Sequence, residues 1–144
     1  MYNFVKNFHS GLAYLVLIAV SGAIIFALAN YLMGREYHKG LQKSALVAFI
    51  LTHTQLLIGV ILYFLSPLGL SNFSGKAMGD ATLRLYILEH PLTMIIAIVF
   101  ITLGYTRSKK ATESGTRYKK LLIFYALGLF LMLLRIPWSA WGSG

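Results

Sequence analysis

Four long apolar stretches constrain the fold of this chain more than any other feature of its sequence. They lie at about residues 11–33, 44–66, 86–105 and 121–138, and together they take up most of the 144 residues. Each is close to the roughly 20 apolar residues that a helix needs to cross the hydrocarbon core of a bilayer. Short connections between such helices favour antiparallel neighbours. The sequence therefore predicts an all-α fold, an integral membrane up-down four-helix bundle that has the lipid bilayer as a partner.

The composition supports one transmembrane domain and excludes several kinds of site. The chain is 58% hydrophobic and 12% charged, whereas soluble domains carry about 25% charged residues. The segments outside the four stretches are too short to form a second hydrophobic core, so residues 1–144 are predicted to be a single domain. The absence of cysteine excludes disulfides, thiolate nucleophiles, cysteine-ligated iron–sulfur clusters and covalent attachment of haem through cysteine.

The net charge of +9 comes mainly from two connecting segments. Nine of the 13 lysines and arginines flank the first and third connections: Arg35, Lys39, Lys43, Arg107, Lys109, Lys110, Arg117, Lys119 and Lys120. Clusters at span ends are typical of the cytoplasmic side of membrane proteins, which argues against nucleic acid as a partner. We expect a multi-pass protein of the cell inner membrane with both termini and the 67–85 connection outside the cytoplasm.

Local signals predict where helices begin, end and open. Ser66-Pro67 ends the second stretch because proline cannot continue the helical hydrogen-bond ladder. Asp80 can cap a helix that leads into the third stretch, since its carboxylate can accept from free N–H groups. Pro91 predicts a kink or local opening near Ile87, because it lacks an N–H and clashes with the carbonyl one turn earlier.

Histidines inside or beside the apolar stretches are the candidate binding residues. A polar imidazole in or near hydrocarbon is costly, so it usually faces the bundle interior and has a partner there. His9 lies at the outer start of the first stretch and His90 lies a few residues inside the third. His53 is deep in the second stretch, where it could ligate a metal, contact a quinone or proton, or pair with threonine or glutamine of another helix. His38 belongs to a basic loop and is excluded from the site.

Depth in the membrane selects the pair of histidines. Two axial ligands must lie at similar depth, each with a nitrogen about 2 Å from the metal. At 1.5 Å per residue, His9 lies about 32 to 38 Å from the inner helix ends, His90 about 24 to 28 Å and His53 about 15 Å. Helix tilt can absorb part of the difference between His9 and His90. The sequence thus predicts haem b with His9 and His90 as ligands and His53 as the alternative, while imidazole would also suit zinc or copper.

Cations near the outer side can complete a haem site. Haem propionates are anionic and call for cations or hydroxyl groups where they reach water. Arg84, Arg135 and Lys76 are available for this purpose. Arg135 also has a simpler interpretation, in which it reaches from the last span to the membrane interface.

Three short segments carry a resemblance to a known family. They are His9-Ser10-Gly11-Leu12-Ala13, Gln55-Leu56-Leu57-Ile58-Gly59 and His90-Pro91-Leu92. They resemble one half of the haem A synthase family of membrane haem proteins over roughly residues 9–105, and more loosely the small four-helix b-type cytochromes. The resemblance implies a four-helix unit that holds haem through histidines.

These observations favour an electron-transfer cytochrome over a stand-alone enzyme, because two protein ligands leave iron no open position for a substrate. Its electrons would be exchanged with a quinol or with a partner redox subunit, and a homodimer is a further candidate assembly. One alternative is a haem-modifying or quinol-oxidising enzyme in which His53 and Glu89 handle protons. Another is a haem-free structural subunit that packs through small residues such as Ser21-Gly22-Ala23.

Overall fold

Helices cover all four predicted spans, although their ends differ from the prediction. The computed structural model describes residues 1–141, and Gly142, Ser143 and Gly144 lie outside them. In chain order the helices are α1 (Tyr2–Leu32), α2 (Lys39–Leu65), the one-turn α3 (Gly75–Met78), α4 (Ala81–Lys110) and α5 (Ser114–Arg135). Short 3-10 turns follow α2 at Leu70–Asn72 and α5 at Trp138–Ala140. No strand occurs within residues 1–141, so the all-α prediction is confirmed for them.

Three of the four long helices, α1, α2 and α4, are long and apolar enough to cross a membrane. The last helix, α5, differs because Arg117, Lys119 and Lys120 lie in its first two turns and Arg135 ends it. Its uncharged run, residues 121–134, has 14 residues, which span about 21 Å at 1.5 Å per residue. The predicted fourth span is therefore a helix whose apolar part is shorter than the roughly 30 Å hydrocarbon core.

The long helices form two antiparallel pairs that pack into one bundle. The contacts of α1 with α2 and of α4 with α5 are more extensive than those between the pairs, which are made by α1 with α5 and by α2 with α4. We call the end with the first residues of α1 and α4 and the last residues of α2 and α5 the histidine end. The opposite end carries the nine clustered lysines and arginines and is called the basic end.

Two predicted helix boundaries are confirmed by the local hydrogen bonds. Asp80 Oδ1 accepts from the backbone N–H of Leu83 at 2.8 Å and caps the start of α4. The second helix ends at Leu65, directly before Ser66 and Pro67.

Two other predicted boundaries are wrong. The first helix begins at Tyr2 rather than near residue 11, so His9 lies two turns inside a helix instead of opening it. The last helix ends at Arg135 rather than at residue 138, because Pro137 has no N–H with which to continue the ladder.

Buried residues recur every three or four positions on the facing sides of the helices. On α1 they include Val16, Val20, Ala23, Ala27 and Asn30, and on α5 they are Tyr118, Leu121, Tyr125, Gly128 and Met132. A period near 3.5 is typical of helices that cross at about 20°, as in most four-helix bundles. The core is therefore a continuous seam that runs between the two ends.

Glycines allow α4 and α5 to approach closely. A Cβ added to Gly104 would lie 2.7 Å from the Cδ1 atom of Tyr125. One added to Gly128 would lie 2.9 Å from the Cδ1 atom of Ile101 and 3.0 Å from the carbonyl oxygen of Ala97. Small residues at such contacts are a common basis of helix association in membranes.

Polar contacts tie the first connection to α5 at the basic end. The hydroxyl of Tyr118 donates to the carbonyl oxygen of Arg35 at 3.0 Å, and the backbone N–H of Tyr37 donates to Ser114 Oγ at 2.6 Å. The Arg117 guanidinium lies 4.1 Å from the centre of the Tyr37 ring. Burial raises the pKa of the Tyr37 phenol, so the hydroxyl keeps its proton at neutral pH. These contacts hold the two helical pairs together at the end opposite the histidines.

We expect Gly128→Leu to destabilise the bundle by about 1–3 kcal/mol, because the added side chain must displace Ile101 or the backbone of α4. Gly22→Leu is the matched control, since a Cβ at Gly22 meets nothing within 4 Å. Thermal unfolding in detergent, followed by far-UV circular dichroism, measures both variants. Equal melting temperatures for the two would contradict the close α4–α5 contact.

Candidate functional site

A π-helical segment, Leu85–Glu89, interrupts α4 directly before His90. Pro91 explains this segment, because it cannot donate to the carbonyl of Ile87 and its ring clashes with that group. The Tyr63 hydroxyl of α2 donates to the Ile87 carbonyl oxygen instead, at 2.9 Å. The predicted opening near Ile87 is confirmed. Single π-helical turns are frequent at functional sites, where they reorient a side chain.

A carbonyl of α5 holds the His90 ring. The Nδ1 atom of His90 lies 2.8 Å from the carbonyl oxygen of Arg135, and a carbonyl can only accept, so Nδ1 carries the proton. In a neutral ring the lone pair then remains on Nε2. The Arg135 carbonyl is available because α5 ends there and Pro137 follows. Metal-ligating histidines usually have this arrangement, with the second nitrogen donating to a carbonyl or carboxylate.

The second helix supports His9 at two points. Gln55 donates from Nε2 to the backbone carbonyl oxygen of His9 at 2.8 Å. One turn further on, a Cβ added to Gly59 would lie 3.0 Å from the His9 Cε1 atom, so that any larger residue there would press on the ring and displace it by a few tenths of an ångström. Within residues 1–141, the Nδ1 atom of His9 is buried and has no hydrogen-bond partner.

The rings of His9 and His90 are neighbours at the histidine end. Their centroids are 6.4 Å apart and their planes make an angle of 86°. Two imidazoles on opposite sides of one metal ion, each bound at about 2.0–2.1 Å, have centroids about 6.3 Å apart, whereas a tetrahedral site brings them to about 5 Å. The separation therefore matches a pair of opposed ligands.

Helix lengths explain why these two histidines meet although counting from the sequence placed them at different depths. The fourth helix extends to Lys110, five residues beyond the predicted span. His90 is thus about 30 Å from the basic end of its helix and His9 about 35 Å from that of α1, at 1.5 Å per residue. His53, counted from the start of α2 at Lys39, is only about 21 Å from that end.

His53 has protein partners on both ring nitrogens. Its Nδ1 lies 2.7 Å from the carbonyl oxygen of Phe49, to which it donates, and its Nε2 lies 3.1 Å from the hydroxyl of Thr102 on α4. A threonine of another helix is one of the partners that the sequence offered for this ring. His53 as an alternative ligand stays a prediction. His38 caps α2 at the basic end, where its Nδ1 accepts from the N–H of Gly40.

Two arginines surround one carboxylate beside His90. Arg84 donates from Nε to Glu89 Oε1 at 2.8 Å, and Arg135 Nε lies 3.6 Å from Glu89 Oε2. Two guanidinium groups and one carboxylate leave a net charge of +1. Each guanidinium has five N–H donors, so both retain free donors for an anion. The structure thus brings His9, His90, Arg84 and Arg135 to one end of the bundle, while His53 lies deeper.

Metal-binding capacity within residues 1–141 is limited to pairs of side chains. No group of three or more His, Cys, Asp or Glu that could hold a metal ion occurs there. A metal at the His9–His90 pair would need its other ligands from elsewhere, whereas protein-bound zinc usually has three or four protein ligands.

An apolar groove of about 200 Å³ lies on the α1–α2 face near His9. Its lining residues are Phe4, Val5, Phe8, Ile58 and Ile61. None of these side chains can hydrogen-bond, so the groove suits a hydrocarbon chain better than a quinone head group.

Sequence reasoning missed the part that Gly59 and Gln55 play. Gly11, the glycine nearest to His9 in the sequence, is exposed, and a Cβ there would meet nothing within 4 Å. Gly59 and Gln55 were noted only as part of a short motif. Their four-residue spacing, which places both on one face of α2, was the available signal.

No protein-family model, no curated protein and no solved structure matches this chain. Only the geometry of the chain's own residues therefore indicates its function.

We expect Gly59→Val to displace the His9 ring and to weaken any binding of haem at His9 by about 10- to 100-fold, the usual effect of disturbing the support of a ligand. Gly11→Val is the matched control, because it adds the same side chain two residues from His9 but faces open space. Titration of the purified apoproteins with haem, followed by the Soret absorbance, measures both. Equal affinities would show that Gly59 does not position His9.

Proposed function

We propose that this protein is a membrane-embedded b-type cytochrome that binds one haem between His9 and His90 and transfers electrons. The separation of 6.4 Å between the two ring centroids carries the proposal. It matches the separation of about 6.3 Å for opposed imidazoles on one metal ion. We also propose that the resemblance of residues 9–105 to one half of the haem A synthase family reflects this haem site.

The donor set favours haem over a bare metal ion. Two histidines alone do not satisfy zinc, which takes four ligands. A porphyrin brings four nitrogens of its own, so that two opposed histidines complete the coordination of its iron.

Each residue of the site has a distinct part in this proposal. His90 is oriented by the Arg135 carbonyl so that its Nε2 lone pair is free. Arg84 and Arg135, which share Glu89, have donors left for the propionate groups. Bound haem would supply a one-electron iron couple. Because His9 and His90 would both hold the iron, no position would remain open for a substrate, and the site would favour electron transfer.

The two ends of the bundle support the proposed arrangement in the membrane. Three helices are long enough to cross a bilayer, and the nine clustered cations favour a cytoplasmic basic end. In the cell inner membrane the haem would then lie near the outer side. A quinol or a partner redox subunit would exchange electrons there, and both are proposed partners.

Visible spectra of the detergent-purified protein test the proposal. We expect a Soret band and, after reduction with dithionite, a sharp α-band. His9→Ala and His90→Ala should lose this band because each removes an axial nitrogen. His53→Ala is the matched control and should keep it, since both His53 nitrogens are already bonded within the protein.

Two results would contradict the proposal. A protein without a Soret band after expression with ample haem would leave a haem-free structural subunit as the better interpretation. Loss of the α-band in His53→Ala, with the band retained in His9→Ala, would replace His9 by His53 as a ligand.

A further inference from the structure

Few buried polar atoms of the described residues lack a partner, and two of them belong to His9 and to Gln55, whose side chains lie on neighbouring helices in contact. Within residues 1–141 these atoms are His9 Nδ1, Gln42 Nε2, Gln55 Oε1 and Trp141 Nε1. Of these four atoms, Gln55 Oε1 can only accept a hydrogen bond, whereas each of the three nitrogens can donate one. Leaving a buried donor or acceptor unpaired costs free energy, because the group has lost its hydrogen bonds to water. A hydrogen bond between His9 Nδ1 and Gln55 Oε1 would remove this cost for both atoms.

The Gln55 amide is already fixed against His9. Its Nε2 donates to the His9 backbone carbonyl oxygen at 2.8 Å, which sets the orientation of the amide because that carbonyl can only accept. The Oε1 atom is then the free end of a side chain anchored on His9 itself. The other unpaired donors lie elsewhere: Gln42 is on the first turn of α2 at the basic end, and the Trp141 ring packs on Tyr14 and Trp138.

We propose that Gln55 is a positioning residue whose Oε1 accepts a hydrogen bond from the Nδ1–H of His9, after a small rotation of the ring. This bond selects the tautomer in which Nε2 keeps its lone pair and can ligate a metal. It is the counterpart of the bond between His90 and the Arg135 carbonyl. Each opposed histidine is then oriented by a neighbouring helix, His90 by α5 and His9 by α2. The part of the inference that makes His9 a metal ligand rests on the proposed function. The hydrogen bond between His9 and Gln55 does not depend on it.

Imidazole ¹⁵N chemical shifts of the full-length apoprotein in detergent test the hydrogen bond without haem. We expect the proton of neutral His9 to reside on Nδ1 in the wild type and to shift towards Nε2 in Gln55→Met, which has a similar shape but no acceptor. Gln55→Glu keeps an acceptor oxygen and should retain the Nδ1–H form, although it loses the bond to the His9 carbonyl. Gln42→Met is the control for a buried glutamine at the other end and should leave His9 unchanged.

Haem-loaded samples of the same variants give an independent readout. A hydrogen bond from Nδ1–H raises the basicity of a ligating imidazole and favours the oxidised iron. Gln55→Met should therefore shift the midpoint potential to a more positive value and weaken haem binding about 10- to 100-fold. Gln55→Glu should shift the midpoint potential to a more negative value. No such shift is expected if Gln55 only anchors α1 through the His9 carbonyl.

The outcomes separate this inference from the proposed function. An unchanged His9 tautomer in Gln55→Met overturns the inference even if the wild type binds haem. A changed tautomer in a protein that shows no Soret band supports the hydrogen bond and rejects the cytochrome. If Gln55→Met does not fold, Gln55→Glu decides alone: retention of Nδ1–H supports the inference, and its loss shows that Gln55 acts only through its bond to the His9 carbonyl.

Discussion

The hydrogen bond from His90 Nδ1 to the Arg135 carbonyl connects the features of the histidine end. It requires α5 to end at Arg135, which Pro137 ensures, and it requires His90 to be presented by the opened turn that Pro91 creates in α4. The same bond brings the Arg135 side chain close to Glu89 and directs the other nitrogen of His90 away from α5. Two prolines, each of which removes one backbone donor, thus produce one oriented imidazole.

Local chemistry made a good part of this arrangement predictable from the sequence. The cap at Asp80, the end of α2 before Pro67 and the opening near Ile87 each depend on a few neighbouring residues, and all three are found. Helix lengths were predicted less well, because α1 and α4 continue through polar residues that a search for apolar runs excludes. The support of His9 by Gln55 and Gly59 could not be predicted, because it depends on how α2 packs against α1.

His53 shows that a deep histidine does not by itself indicate a cofactor. Its ring bonds the Phe49 carbonyl within its own helix and the Thr102 hydroxyl on α4, so the cost of burying an imidazole is met by the protein. His9 differs in one measurable respect, since a buried ring nitrogen has no partner among the described residues. Depth alone therefore does not select the candidate binding histidine in this bundle.

The division of the bundle into two helical pairs has a consequence for assembly. Contacts are denser within α1–α2 and within α4–α5 than between them, and residues 66–80, which join the pairs, contain only one helical turn and one 3-10 turn. His9 and His90 belong to different pairs. A ligand shared by these two rings would link the two hairpins, and it would stabilise the bundle by an amount that grows with its affinity and concentration. Fragments divided within residues 66–80 would then reassemble more readily in its presence than without it.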